Sequence, residues 1–169
     1  HLPDHKALSN HSPLVEAAIP KRLVLPIQQH IGRPANVLVT VGEKVLKGQL
    51  IAEMEGAVSA PIHASSSGTV VEIGNHPIPH PSGLPSLCIV IETDGADRWI
   101  ELKDTSDHAK IDSETIRNRV KEAGIVGLGG AGFPSYIKLD PGQRTSVKTL
   151  IINGAECEPY ITCDDRLMR

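Results

Sequence analysis

Gly127, Gly129 and Gly132, within "GIVGLGGAGFPSYIKL" from Gly124 to Leu139, satisfy G-x-G-x-x-G, a spacing used to hold phosphate. In dinucleotide-binding folds the first glycine directly follows a strand and the last opens a helix, so that the pyrophosphate rests on the helix N-terminus. Here the residues ahead predict a helix, and only Ile125 and Val126 separate its end from Gly127. That context is not met. Residues without a Cβ still let backbone N–H groups close around an anion, and Pro134 is placed to begin a short helix beside them. Composition alone leaves two readings open, a phosphate-binding loop and a tight structural turn.

Other side chains with chemical capacity are scattered. Cys88, Cys157 and Cys163 form no C-x-x-C pair, which argues against a disulfide framework, zinc or a cluster site; Cys157 and Cys163 read as small buried fillers. The eight histidines spread from His1 to His108. His76 and His80 are four apart, but Pro77 and Pro79 deny them a shared helical face, and they read as part of a surface loop. Ser65, Ser66 and Ser67 precede Gly68 as a turn, with no neighbouring His or Asp in sequence to activate a nucleophile. No catalytic or metal-ligating residue is assigned.

The elements that position these residues fall into two blocks. From Arg22 to about Glu92, "RLVLP", "NVLVTVG", "QLIAEM", "SAPIHA", "GTVVEIG" and "LCIVIE" predict short strands between Gly and Pro turns, and so a barrel or sandwich. Val37, Val39 and Val41 alternate with Leu38 and Thr40, and Val70, Glu72 and Gly74 are expected to face opposite Val71 and Ile73. The four prolines of "GNHPIPHPSGLPS" predict an extended loop, and the polar "TDGADRWIELKDTSDHAKID" a connector. In "DSETIRNRVKEAG" a helix is expected, capped by Asp112 or Ser113, ended by Gly124, with Ile116, Val120 and Ala123 on one face. A last strand is expected at "KTLIIN". The fold expected is α+β: an all-β domain over 1–110 with an N-terminal extension and linker, then a truncated α/β unit over 111–169.

A formal charge of −3 and a sequence pI near 6.2 give no basic surface of the kind that binds nucleic acid. With aromatics at 2%, Val, Ile, Leu and Ala must supply the core. No apolar run approaches the ~20 residues that span a bilayer, so a soluble chain is expected, with reduced thiols as in a cytosolic protein. A start without Met and a stop at "CDDRLMR" suggest a segment of a longer protein.

"GLGGAGFPSYIKL" followed by "TLIINGAECEPYITCDDRLMR" resembles the flavin-binding part of the RnfC component of the Rnf electron-transport complex, itself similar to the flavin-carrying, NADH-oxidising subunit of respiratory complex I. "PIQQHIGRPANVLVTVGEKVLKGQLIAEMEGAVSAPIHASSSGTVVEI" resembles the amino-terminal domain of the same component, a barrel-sandwich hybrid similar to biotinyl and lipoyl carriers. Val39, Gly42, Val45, Gly48 and Gln49 match the carriers' V-x-x-G-x-x-V-x-x-G-Q run. Where a carrier has its modified lysine, "MEGAVSAP" offers only Ala57, so no biotin or lipoyl group is expected.

The resemblance implies FMN and NADH as cofactors of the whole subunit, with 4Fe–4S clusters in a part beyond this chain. By motif, Gly127, Gly129, Gly130 and Gly132 would wrap the flavin and its phosphate, and Phe133 would offer a ring near the nicotinamide nucleotide. Lys138 would supply positive charge, its bland alternative being a solvated surface lysine. Asn153, Glu156 and Glu158 would hydrogen-bond flavin or ribose groups, unless a glutamate merely pairs with Lys138 or Arg166. Asp164, Asp165 and Arg166 belong to the motif as an ion-paired cap. Leu128 and Ala155 stand where the complex I pattern has arginine and aspartate.

The implied activity is electron transfer from or to NADH through FMN and iron–sulfur clusters, coupled to ion movement. The implied location is peripheral, on the cytoplasmic face of the bacterial inner membrane. Implied partners are the other subunits and, indirectly, a ferredoxin-type carrier. The alternative is a non-catalytic docking module, and the chain alone is expected to bind FMN weakly or not at all.

Overall fold

The computed structural model describes residues 3–80, 82–102, 110–128, 130–140, 142, 147–149, 151, 154, 156 and 158–168. The chain divides into two compact units, Ile19–Asp140 and His1–Ala18 with Pro141–Arg169.

The larger unit is built on two antiparallel sheets. One has four strands in the order β1 (Arg22–Pro26), β7 (Pro85–Thr93), β6 (Gly68–Pro77), β3 (Lys44–Val45), and the other three, in the order β2 (Asn36–Val37), β4 (Leu50–Glu53), β5 (Ile62–His63). This is the barrel-sandwich hybrid that the resemblance implies. Leu25, Val39, Val45, Ile51, Ile62, Val70, Ile89 and Ile91 meet in one aliphatic core, as an aromatic-poor composition requires. The V-x-x-G-x-x-V-x-x-G-Q run acquires a physical reason here. Val39 and Val45 are buried, the Gly42 amide donates to the Val70 carbonyl at 2.7 Å, and the Gln49 Oε1 accepts from the Leu46 amide at 3.0 Å.

Four local expectations are corrected. The register skips Val71 between Val70↔Ile91 and Glu72↔Val90, a β-bulge that reverses the alternation. Val70 and Ile73 therefore both pack on the core, instead of facing opposite ways. Among the described residues the proline-rich stretch is loop only at 78–80 and 82–84, because β6 continues to Pro77 and β7 starts at Pro85; His76 is thus a strand residue, its Nε2 2.9 Å from the Glu72 carboxylate. The supposed connector is strapped down over 94–100. The Lys47 amide donates to the Arg98 carbonyl and the Ile100 amide to the Lys47 carbonyl, at 2.8 and 3.0 Å. Finally, Ser66 and Ser67 do lie beside aspartates: both are buried, and their hydroxyls donate to Asp97 and Asp94, each at 2.7 Å.

That strap is held by polar anchors. Lys47 Nζ pairs with Asp97 Oδ2 at 2.6 Å and lies 4.8 Å from the Trp99 ring centroid. The Ser67 hydroxyl, then the Ala96 amide and the Arg98 guanidinium, hold the Asp94 carboxyl down to about 2.

Asp112 caps α1 (Ser113–Glu122), its carboxylate accepting from the Thr115 amide at 2.9 Å, and Gly124 follows at φ +68°. Ile116 and Ala123 on the expected apolar face are exposed. Of the expected strand at 148–153, Lys148, Thr149 and Ile151 lie in no strand, and Leu150, Ile152 and Asn153 fall outside the described residues.

In the smaller unit α3 (Cys163–Met168) is joined by the amino-terminal residues. The His5 ring stacks on Tyr160 at 5.0 Å, Lys6 Nζ donates to the Glu158 and Ile161 carbonyls at 3.1 and 3.0 Å, and the Tyr160 amide donates to the Asp4 carbonyl at 2.8 Å.

Candidate functional site

The glycine segment is a folded-back loop docked on the β domain. The Gly127 amide donates to the Phe133 carbonyl at 2.9 Å and the Ser135 amide to the Ile125 carbonyl at 2.9 Å, which closes the loop at its base. Pro134 precedes α2 (Ser135–Lys138) as its N-cap, so the helix begins one residue later than expected. Gly132 sits at φ +61° so close to the neighbouring backbone that an added Cβ would lie 2.8 Å from the Gln29 carbonyl oxygen and 2.9 Å from His30 Cα. The Tyr136 hydroxyl donates to the Ala57 carbonyl at 2.8 Å, on the β4–β5 hairpin. His30, itself buried, orders the loop's seat. Its Nε2 accepts from the Ala60 amide at 3.1 Å, which leaves Nδ1 to donate to the Ile31 carbonyl at 2.9 Å.

Between the loop and the β domain lies a cleft of about 1050 Å³, to which Gly127, Leu128, Gly130, Ala131 and Gly132 contribute. Leu128, Gly130 and Ala131 lie in an exposed turn, and among the described residues nothing accepts from their amides. Free donors on a Cβ-poor backbone, beside a volume at the upper end of the roughly 300–1,000 Å³ of ligand pockets, fit an anionic cofactor. Phe133 and Lys138 do not line the cleft. They pack beside Gly127, with Lys138 Nζ 5.7 Å from the Phe133 ring centroid and 3.3 Å from the position of a Gly127 Cβ. Gly129 and Asn153 fall outside the described residues.

Glu156 and Glu158 belong to the other unit. Glu156 is half-buried, and its carboxylate accepts from the Asp164 amide at 2.6 Å, so it caps α3 rather than pairing with Lys138 or Arg166. The Glu158 residue is exposed, and its backbone carbonyl receives Lys6. Cys163 is exposed, contrary to its reading as a buried filler, with its thiol 3.5 Å from Glu156 Oε2. Desolvation and the neighbouring Glu156 carboxylate push that thiol's pKa up, away from thiolate reactivity. Cys157 falls outside the described residues. Asp164 and Arg166 lie within α3, where Arg166 donates to the Asn10 carbonyl. The partnership of Lys6, Asn10 and His5 with residues more than a hundred positions away carries no local sequence signal.

Two sheets closed on an aliphatic core, with a hairpin lacking lysine and an anion-suited loop held against them, define a barrel-sandwich β domain leading into a cofactor-binding segment. Comparison with known families agrees on both parts: residues 1–96 match the RnfC barrel sandwich hybrid domain and residues 120–169 the Nuo51 FMN-binding domain. The chain belongs to the RnfC family. It is 51% identical over 168 residues to the RnfC component of the ion-translocating oxidoreductase complex of Pseudomonas aeruginosa, and 47% identical over 169 residues to that of Klebsiella pneumoniae. These matches cover 99% and 100% of this chain but 22% of each relative, so the chain spans a little over a fifth of their length. Among the described residues no helix is long and apolar enough to cross a membrane.

Proposed function

We propose that the chain is the amino-terminal part of an oxidoreductase subunit that passes electrons from or to NADH through FMN and iron–sulfur clusters, coupled to ion translocation. The observation that carries this is the glycine loop, which lines a cleft of about 1050 Å³ and whose Leu128, Gly130 and Ala131 amides have no acceptor among the described residues. Bound flavin would supply the chemistry, exchanging the two electrons of one hydride for single electrons. The chain's own residues bind and orient: the amides of Leu128 to Gly132 receive phosphate, and Lys138 adds positive charge at the loop's base. Phe133 offers a ring face to the nicotinamide nucleotide. Asn153 and Glu158 remain candidates for flavin or ribose hydroxyls. Glu156 is a weaker one, because its carboxylate already serves α3.

In this reading 1–110 is the β domain with its extension and linker, and 111–169 opens the flavin domain. The 4Fe–4S clusters belong to a region beyond residue 169. The partners are the other subunits of the complex and, indirectly, a ferredoxin-type carrier, and the protein is peripheral on the cytoplasmic face of the inner membrane. The test is titration of the full-length subunit with FMN and NADH. Quenched flavin fluorescence and bleaching of bound FMN by NADH are expected, whereas a docking module would show neither.

A further inference from the structure

We propose that the β domain furnishes the second wall of the cofactor cleft and that His80 donates a hydrogen bond from it to the ligand's phosphate. The proposal rests on the flavin reading but adds a contact from outside the segment matched to the FMN-binding domain, which begins at residue 120.

The glycine loop lines the cleft, as do Gln28 to Ile31 and, from the segment between β6 and β7, Ile78, Pro79, His80, Ser82 and Leu84. Among the described residues its wall contains no Asp, Glu, Lys or Arg. An anion entering it thus meets no carboxylate, and is held by neutral donors. Ile31, Ile78, Leu84 and Leu128 supply apolar surface, Leu128 being 93% and Leu84 67% exposed. Apolar surface of this kind suits a planar ring. The wall therefore suits a ligand that joins an anionic group to a planar ring with polar edges, as a flavin mononucleotide does, Gln28 and Gln29 offering amides to those edges.

His80 is set to donate. Its Nδ1 accepts from the Ser82 amide at 3.1 Å and lies 2.8 Å from the Ser82 hydroxyl, which in turn accepts from the Leu84 amide at 3.2 Å. With the Nδ1 lone pair engaged, the neutral ring carries its proton on Nε2. Among the described residues Nε2 has no partner. Ser82 thus fixes the tautomer that presents an N–H, and Pro77, Pro79 and Pro85 stiffen the loop that carries it.

The experiment compares full-length wild type, His80→Ala and His80→Gln by quenching of FMN and of riboflavin, which lacks the phosphate. His80→Ala should weaken FMN binding about ten- to hundredfold and leave riboflavin unchanged. His80→Gln, which keeps an N–H donor, should recover part of the loss. The ³¹P resonance of bound FMN should move in His80→Ala. Circular dichroism verifies that each variant is folded. If wild type binds FMN and His80→Ala matches it with an unmoved ³¹P signal, the proposal is overturned and the flavin reading stands. Equal losses for FMN and riboflavin overturn it too, since the effect would lie in the loop's shape. Failure of wild type to bind FMN overturns both.

Discussion

Replacing Gly132 with alanine measures how firmly the glycine loop is seated. Two costs combine. At φ +61° an L-residue loses about 1–2 kcal/mol relative to glycine. The new Cβ would also stand 2.8 and 2.9 Å from backbone atoms of Gln29 and His30, which cannot swing away as a side-chain tip could. Overpacking of that kind costs about 1–3 kcal/mol, so Gly132→Ala should lose about 2–5 kcal/mol in all. Gly42→Ala is the control: φ is +92°, and an added Cβ meets nothing within 4 Å. It carries the conformational cost alone, about 1–2 kcal/mol. Urea and thermal unfolding followed through Trp99, the sole tryptophan and part of the same unit, read both variants. For a domain of this size 1 kcal/mol corresponds to about 4 °C in Tm. If Gly132→Ala is no less stable than Gly42→Ala, the loop is not locked on the β domain and the cleft's geometry loses its foundation.

The strap over 94–100 should be acid-labile. Because the folded-state pKa of Asp94 is depressed to about 2, its contribution is fully present above the unfolded value of about 3.9 and fades as pH falls from there towards 2. Asp97, also lowered, chiefly by its bonds with Lys47 and Ser66, fades in the same direction. Trp99 emission should report loosening across that window, and the part due to Asp94 should vanish in Asp94→Asn. His30→Ala orphans the buried Ala60 amide and should destabilise the larger unit by about 1–3 kcal/mol in urea titration; an unchanged midpoint would remove His30 from the loop's seat.

The strands were legible where burial on one side imposed alternation, as in Arg22–Pro26, which the sequence marks without error at either end. The Val71 bulge was not, because an inserted residue in a Val-rich strand leaves a pattern that reads equally well without it. Nor was the strap. Asp94, Asp97 and Arg98 are the residue types expected of a solvated linker, and only their spatial partners Ser66, Ser67 and Lys47 make them anchors. The glycine loop was recognisable by motif, whereas the bond that the Glu156 carboxylate accepts from the Asp164 amide at the start of α3 had no signal in the sequence. Partnerships across 150 positions, such as Lys6 with Glu158, leave no trace in either segment alone.

The β4–β5 hairpin has a further consequence. In the carrier folds that this domain resembles, that hairpin is the arm that bears a prosthetic group on its lysine. Here the arm ends in Ala57, whose carbonyl is taken by Tyr136. With its tip moored to Tyr136 at the start of α2, this hairpin is tethered to the segment that follows the glycine loop, so a displacement of one tugs on the other.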